Sequence, residues 1–377
     1  MKTILTTGIL FLVILSLTYT AMAADNEDKS SIISKLFDQR EALFSAGKYQ
    51  EAIESANKVI ELNPGNEVAA AAFYVRGEAY ALLGRYDDAI KDFNKAVELD
   101  PHKLGKLPPF YFNIGTAYLR SGRNLEALQY FDKAIQLDPK YVSAYNHRGN
   151  SYRDLGKYEN AINDFEKAIK LDPHNALGFY LRGTTYALIG KYENALRDFD
   201  RAIALDRETF GKDPALYHNR GLAYSYLGKT QQAIKDFDEA IRLKGDYVSA
   251  YDNRGTLYSA QGKFDYAIKD FDRALDLNPQ YALSYFNRGV LFYSRGMLDP
   301  ALKDLTKAVE LNPQNIVAHI VMVGIYSRQN NMEEACKWLK KALDKAKETG
   351  FSNWDYMKKA KDFENVRKTS CYKEIMQ

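Results

Sequence analysis

In one recurring register, six arginines are each followed sixteen residues later by an aspartate: Arg76 and Asp92, Arg148 and Asp164, Arg182 and Asp198, Arg220 and Asp236, Arg254 and Asp270, Arg288 and Asp304. A regular row of arginines could line a site for an anionic ligand. Here each arginine brings its own counter-charge, which weakens that reading. At three further places in the same register both residues are missing together, replaced by Gln39 with Ser55, Ile114 with Tyr130 and Met322 with Trp338. Independent surface positions would not switch in step. The pattern predicts structural, partly buried ion pairs, because a charge taken out of water needs a partner.

Other chemistry-bearing residues do not converge. The five histidines (His102, His147, His174, His218, His319) have no metal-ligand spacing, and Cys336 and Cys371 form no Cys-x-x-Cys pair. There is no glycine-rich phosphate loop ending in Gly-Lys, and adjacent acids such as Asp87 and Asp88 read as solvated helix surface. The expectation is a protein without catalytic residues, bound metal or cofactor. With 52 basic against 49 acidic residues, the charge gives no footprint for nucleic acid.

The start of the chain reads as an export signal. Lys2 precedes an apolar run over residues 4–17, and Ala21-Met22-Ala23 offers a small-x-small cleavage site before a polar stretch. The expected processing leaves residues 1–23 as a signal peptide and 24–32 as a linker, with no membrane insertion after cleavage. The run is shorter than the ~20 residues that normally span a bilayer, so an uncleaved N-terminal anchor is the second reading. No cysteine lies near the cleavage site and no Asn-x-Ser/Thr sequon occurs, which favours a bacterial periplasmic or secreted location.

The element that positions these residues is a repeat. Gly77, Gly115, Gly149, Gly183, Gly221, Gly255 and Gly289 are spaced by 38, 34, 34, 38, 34 and 34 residues. With that glycine numbered 8 in a 34-residue unit, alanine recurs at position 20 (Ala52, Ala89, Ala127, Ala161 and onward), phenylalanine at 24 (Phe93, Phe131, Phe165) and proline at 32 (Pro64, Pro101, Pro139). Tyr145, Gly149 and Tyr152 lie at helical spacing, as do Ala161, Phe165 and Ala168, giving two amphipathic helices per unit. Gly156-Lys157-Tyr158 supplies the turn, with glycine in the left-handed position that ends a helix. One such hairpin cannot bury its own apolar face, so units must stack.

These residues resemble the tetratricopeptide-repeat (TPR) family, whose signature places an aromatic, a Leu-Gly pair, Tyr, Ala, Phe and Pro at these offsets. The resemblance implies an all-α fold: a TPR superhelical solenoid of antiparallel helix hairpins with a C-terminal capping helix. Nine repeats are expected at 33–66, 70–103, 108–141, 142–175, 176–209, 214–247, 248–281, 282–315 and 316–349, with the cap helix at 350–377. Repeat one has Arg40 at the glycine position, and repeat nine has Val323 and Asn330 at its two glycine positions, as suits terminal units with one neighbour. Extra residues fall between repeats at 67–69, 104–107 and 210–213. Cys336 of repeat nine and Cys371 of the cap could be bridged in an oxidising compartment or be two separate small apolar residues.

What the resemblance implies about binding can be taken residue by residue. TPR modules that grip a chaperone's C-terminal carboxylate need a lysine at position 2. This chain has Ala71, Pro109, Ser143, Leu177, Ala215, Ser249 and Leu283 there, so that clamp is absent. Superhelices of the O-linked N-acetylglucosamine transferase type hold peptide backbone with asparagines, and position 6 here carries Asn113, Asn219, Asn253 and Asn287, with His147 among them. In TPR superhelices the first helix of each unit lines a concave groove. That places Tyr74, Phe112 and Tyr180 in one apolar stretch with Leu82, Leu119 and Leu188, and Tyr226, Phe286 and Tyr293 in a second. Polar residues Asn146, Asn150, Arg153 and Asp154 of repeat four lie between, and His218 adds to the face. The expected function is a non-catalytic cell-envelope scaffold that binds an extended protein or peptide segment in this groove. The alternative is a self-assembling structural scaffold without a separate ligand.

Overall fold

The computed structural model describes residues 27–62, 64–352 and 354–376, so the expected signal segment lies outside the described residues. Regular structure among them is helical throughout, and consecutive helices pack as antiparallel hairpins. The chain divides into two compact bodies: one holds residues up to 191 together with 200–205, the other 192–199 and 206 onward.

The N-terminal body contains α1 (Glu27–Ser45), α2 (Tyr49–Glu61), α3 (Asn66–Leu82), α4 (Tyr86–Leu99), α5 (Pro108–Arg120), α6 (Asn124–Leu137), α7 (Val142–Asp154), α8 (Tyr158–Leu171) and α9 (Ala176–Leu188). Helix α10 (Tyr192–Leu205) contributes residues to both bodies. The C-terminal body continues with α11 (Pro214–Tyr226), α12 (Thr230–Leu243), α13 (Val248–Ala260), α14 (Phe264–Leu277), α15 (Ala282–Ser294), α16 (Leu298–Leu311), α17 (Ile316–Arg328) and α18 (Met332–Thr349).

In six hairpins among the described residues, those of repeats two to four and six to eight, one steric fit closes the pair. A Cβ added to Gly149 would stand 2.6 Å from Cε1 of Phe165, and one added to Gly115 would stand 2.7 Å from Phe131. Glycine at position 8 thus lets the ring at position 24 lie against the first helix, where Phe131 and Phe165 are fully buried. The turn between the helices needs a left-handed residue, and Gly156 has φ of 72°. Repeat nine lacks that glycine, and Asn330 takes φ of 56° in its place, the substitution that asparagine tolerates best.

The inter-repeat insertions take two forms. Residues 67–69 do not make a loop; they extend α3 by a turn beyond the usual first helix. The other two form 3-10 turns, Leu104–Lys106 and Phe210–Lys212, whose Leu104 and Phe210 are buried. Pro108 and Pro214 then open the following helices, where a missing N–H costs nothing.

The C-terminal segment differs from the single cap helix expected. It is broken into α19 (Asp355–Lys359), a 3-10 turn (Lys361–Phe363), α20 (Glu364–Arg367) and α21 (Ser370–Met376). The breaks let it fold over repeat nine: Met357, Phe363 and Val366 are fully buried against Ile320, Val323 and Leu339. Arg367 Nη1 donates to the carbonyls of Met357 (3.0 Å) and Ala360 (2.7 Å), satisfying acceptors that a broken helix leaves open. Cys336 and Cys371 are joined, with Cα atoms 6.1 Å apart, within the ordinary range for a disulfide.

Candidate functional site

The arginine–aspartate pairs come first, because they decide which charges remain available. Arg148 Nε donates to Asp164 Oδ2 at 2.8 Å and Nη2 to Oδ1 at 2.6 Å, a two-toothed fork across the hairpin. Arg76 with Asp92, Arg220 with Asp236, Arg254 with Asp270 and Arg288 with Asp304 repeat it. Arg182 lies in the N-terminal body, where Glu166 is 3.8 Å away, and Asp198 in the C-terminal one.

The third arginine nitrogen reaches the preceding repeat. Arg148 Nη1 donates to Asp132 at 2.7 Å, Arg254 Nη1 to Asp238 at 2.6 Å, Arg76 Nη1 to Asn57 at 2.6 Å, and Arg288 Nη1 to Asp272. One guanidinium therefore fastens both its own hairpin and the neighbouring one. Burial opposes the charge on Arg148, but the hydrogen bonds it donates to Asp164 and Asp132, with their negative charges, outweigh it and hold the guanidinium above its ordinary value. The residues at position 25 were missed from sequence, though the signal was there. Repeats three to seven carry an acid at that position, the two repeats followed by one without the arginine carry Asn94 and Thr306, and Asn57 of repeat one is the non-acidic exception that still meets an arginine.

The face formed by the first helices of repeats two to five belongs to the N-terminal body. Four residues expected on a ligand-lined surface are core instead, one of them in the C-terminal body: Tyr74, Phe112, Asn146 and Tyr293. The reason is the repeat-to-repeat stack, in which position 5 of one repeat meets position 6 of the next. Asn113 Nδ2 donates to Tyr74 Oη at 2.7 Å, and Phe112 meets the His147 ring edge-on, centroids 4.7 Å apart. Asn146, only 3% exposed, has an Oδ1 with no hydrogen-bond partner among the described residues. Position 6 of the next repeat is Leu181, which brings no amide. Asn150 Oδ1, one turn further on, is likewise buried without a partner. Arg153 is paired with its neighbour Asp154 at 3.1 Å, and Tyr180 is half-buried beside Phe165 and Leu181.

In the C-terminal body two of the asparagines are spent the same way. Asn253 Nδ2 donates to His218 Nε2 at 3.0 Å. Asn287 Nδ2 donates to both oxygens of buried Asp252, at 3.2 and 3.1 Å, and Ser284 Oγ donates to it at 2.6 Å. Asn219 and Phe286 are half-buried. Tyr226 is 69% exposed and stacks on Tyr192, rings nearly parallel with centroids 4.7 Å apart. Tyr293 donates its hydroxyl to Asp362 of the cap at 2.5 Å, a structural tie. Three of the four asparagines expected to hold a ligand's backbone, Asn113, Asn253 and Asn287, make inter-repeat hydrogen bonds instead.

Among the described residues a recess of about 310 Å³ opens between the helices of repeats two to four. Phe93 and Phe112 form its floor, and the small Ala81 and Ala117 leave its space empty. Glu78 lines it too, but its carboxylate is buried and paired with Arg40. At the rim Arg120 is exposed and has no ion-pair partner among the described residues. His147 Nδ1 donates to the Ser143 carbonyl at 2.9 Å, which leaves Nε2 as the acceptor. Burial pushes this imidazole down to about 4, so it is neutral at physiological pH.

Comparison with known proteins agrees with this architecture. Tetratricopeptide-repeat models match residues 70–103, 108–141, 142–175 and 282–315, residues 174–246, and residues 41–66 and 318–347; a TPR-repeat model matches 255–296. The chain belongs to the tetratricopeptide-repeat family. Among solved structures, a tetratricopeptide repeat protein from Parabacteroides merdae is 21% identical, covering 67% of this chain and 96% of that one with a TM-score of 0.52. The APC/C hetero-tetramer Cut9-Hcn1 is 20% identical, covering 81% of this chain and 58% of that one with a TM-score of 0.54. At these identities the likeness concerns the fold. YrrB, described as a TPR protein with an unusual peptide-binding site, is 24% identical over 50% of this chain and 95% of its own, with a TM-score of 0.42. Comparison with curated proteins returned no match.

Proposed function

We propose that this protein is a non-catalytic interaction scaffold of the cell envelope that binds an extended segment of another protein. The observation that carries the reading is the recess in the N-terminal body: an aromatic floor, an empty apolar space and an arginine with no ion-pair partner among the described residues. Export is supported by the Cys336–Cys371 bridge, a bond that persists in oxidising compartments. No helix among the described residues is long and apolar enough to cross a membrane.

Self-assembly through the ends of the array is less favoured. The cap buries Phe363 and Val366 on the last repeat and is bonded to it covalently, which removes the face a second copy would extend.

Selection of a displayed library of random dodecapeptides on the purified protein tests the reading. Enriched sequences that bind in solution are the expected result; a selection that enriches nothing over an uncoated surface defeats it.

A further inference from the structure

We propose that the recess of repeats two to four is a specificity pocket for an apolar side chain followed immediately by a carboxylate in the bound segment. The inference rests on the peptide-binding reading and adds what the bound sequence must contain.

Three groups set the requirement. The apolar side chain is selected by the floor of Phe93 and Phe112, with Ala81 and Ala117 supplying space that larger residues would occupy. The carboxylate is selected by Arg120, the one lining group whose charge has no ion-pair partner among the described residues. Glu78 would repel an acid, yet Arg40 neutralises it and Asn113 Nδ2 lies 3.5 Å from its second oxygen. The third group is His147. Its Nδ1–H is committed to Ser143, so Nε2 is the ring atom left to accept an N–H from the ligand's backbone. A donor, an apolar side chain and an anion in that order describe one short stretch of peptide. They do not describe a phosphate or a free metal ion, which would have no use for the aromatic floor.

The dodecapeptide selection is repeated on Arg120→Glu and Ala81→Leu. Arg120 is exposed at the end of α5, so its replacement leaves the core untouched; circular dichroism and thermal midpoint check that both variants fold. Wild-type protein is expected to enrich sequences with a large apolar residue next to Asp or Glu. Arg120→Glu should exchange the acidic preference for a basic one while the apolar preference stays. Ala81→Leu should weaken the enriched peptides by about tenfold or more, the loss expected when an anchor's pocket is filled. Enriched peptides that bind both variants as well as wild type would overturn the pocket while leaving the peptide-binding reading intact. A selection that enriches nothing on wild type overturns both.

Discussion

Arg148 and Asp164, on the two helices of repeat four, are held by a two-point fork of 2.8 and 2.6 Å, and the carboxylate is only 8% exposed. Removing one partner strands the other charge away from water. Asp164→Ala should therefore cost about 3 kcal/mol, read as a lower urea midpoint. A double-mutant cycle should give strong coupling between Arg148 and Asp164. Between Arg148 and Asp132, whose carboxylate is 55% exposed, coupling should be at most about 1 kcal/mol. Equal couplings would mean that the fork is not the dominant contact.

Gly149 faces the Phe165 ring with no room for a methyl group, since a Cβ there would be 2.6 Å from the ring. Gly149→Ala must push Phe165 aside and should cost about 1 to 3 kcal/mol despite alanine's better helix propensity. The double variant Gly149→Ala with Phe165→Leu should recover part of that loss, because repeat nine buries Val323 at position 8 together with Leu339 at position 24. Chemical denaturation of both variants measures it.

His147 gives the protein an acid-sensitive joint. Its folded value, lowered to about 4 by burial, lies below the 6.5 of a free imidazole. Stability is thus fully present above pH 6.5 and is lost as pH falls from there toward 4, because the unfolded chain binds the proton first. The loss attributable to this group is about 3 kcal/mol at most, at 1.36 kcal/mol per unit. His147→Asn, which places at position 6 the residue of four other repeats, should flatten the pH dependence between 6.5 and 4. Urea midpoints of wild type and variant across that range decide; parallel curves would exclude the role.

Asn146 is a buried amide whose Oδ1 lacks a partner among the described residues. Leaving such an acceptor unmade costs about 1 to 3 kcal/mol, so its removal should not destabilise. Asn146→Ala is expected to match or slightly exceed wild-type stability in thermal melts. A clear drop would show that its remaining amide contacts outweigh the orphaned oxygen.

The Cys336–Cys371 bridge closes a separation of 35 residues between repeat nine and its cap. Cys371→Ser should lower the stability of the C-terminal body by about 3 kcal/mol. Reductant should do the same to wild type and nothing to the variant. Cap contacts such as Tyr293 with Asp362 survive the change, so the segment should loosen without the array unfolding. Hydrogen exchange over 355–376 is the direct readout.

The repeat was legible from sequence because each helix pair solves the same local problem. Position 8 must be glycine where position 24 is an aromatic ring, and position 15 must tolerate positive φ; both follow from sterics within one hairpin. The coupled appearance of arginine and aspartate was legible for the same reason, since Arg148 and Asp164 share a hairpin. Contacts between hairpins were not. That Arg148 also reaches Asp132, that Asn287 is spent on Asp252, and that Tyr74, Phe112, Asn146 and Tyr293 are covered by their neighbours depend on how one repeat sits on the next. Helical periodicity says which face a side chain is on, but burial on that face is set by the adjoining repeat's own residues. The cysteine pairing and the broken cap are of this kind too. Sequence left Cys336 and Cys371 open as two apolar residues or one bond; only the folding of the final segment onto repeat nine brought their Cα atoms to 6.1 Å.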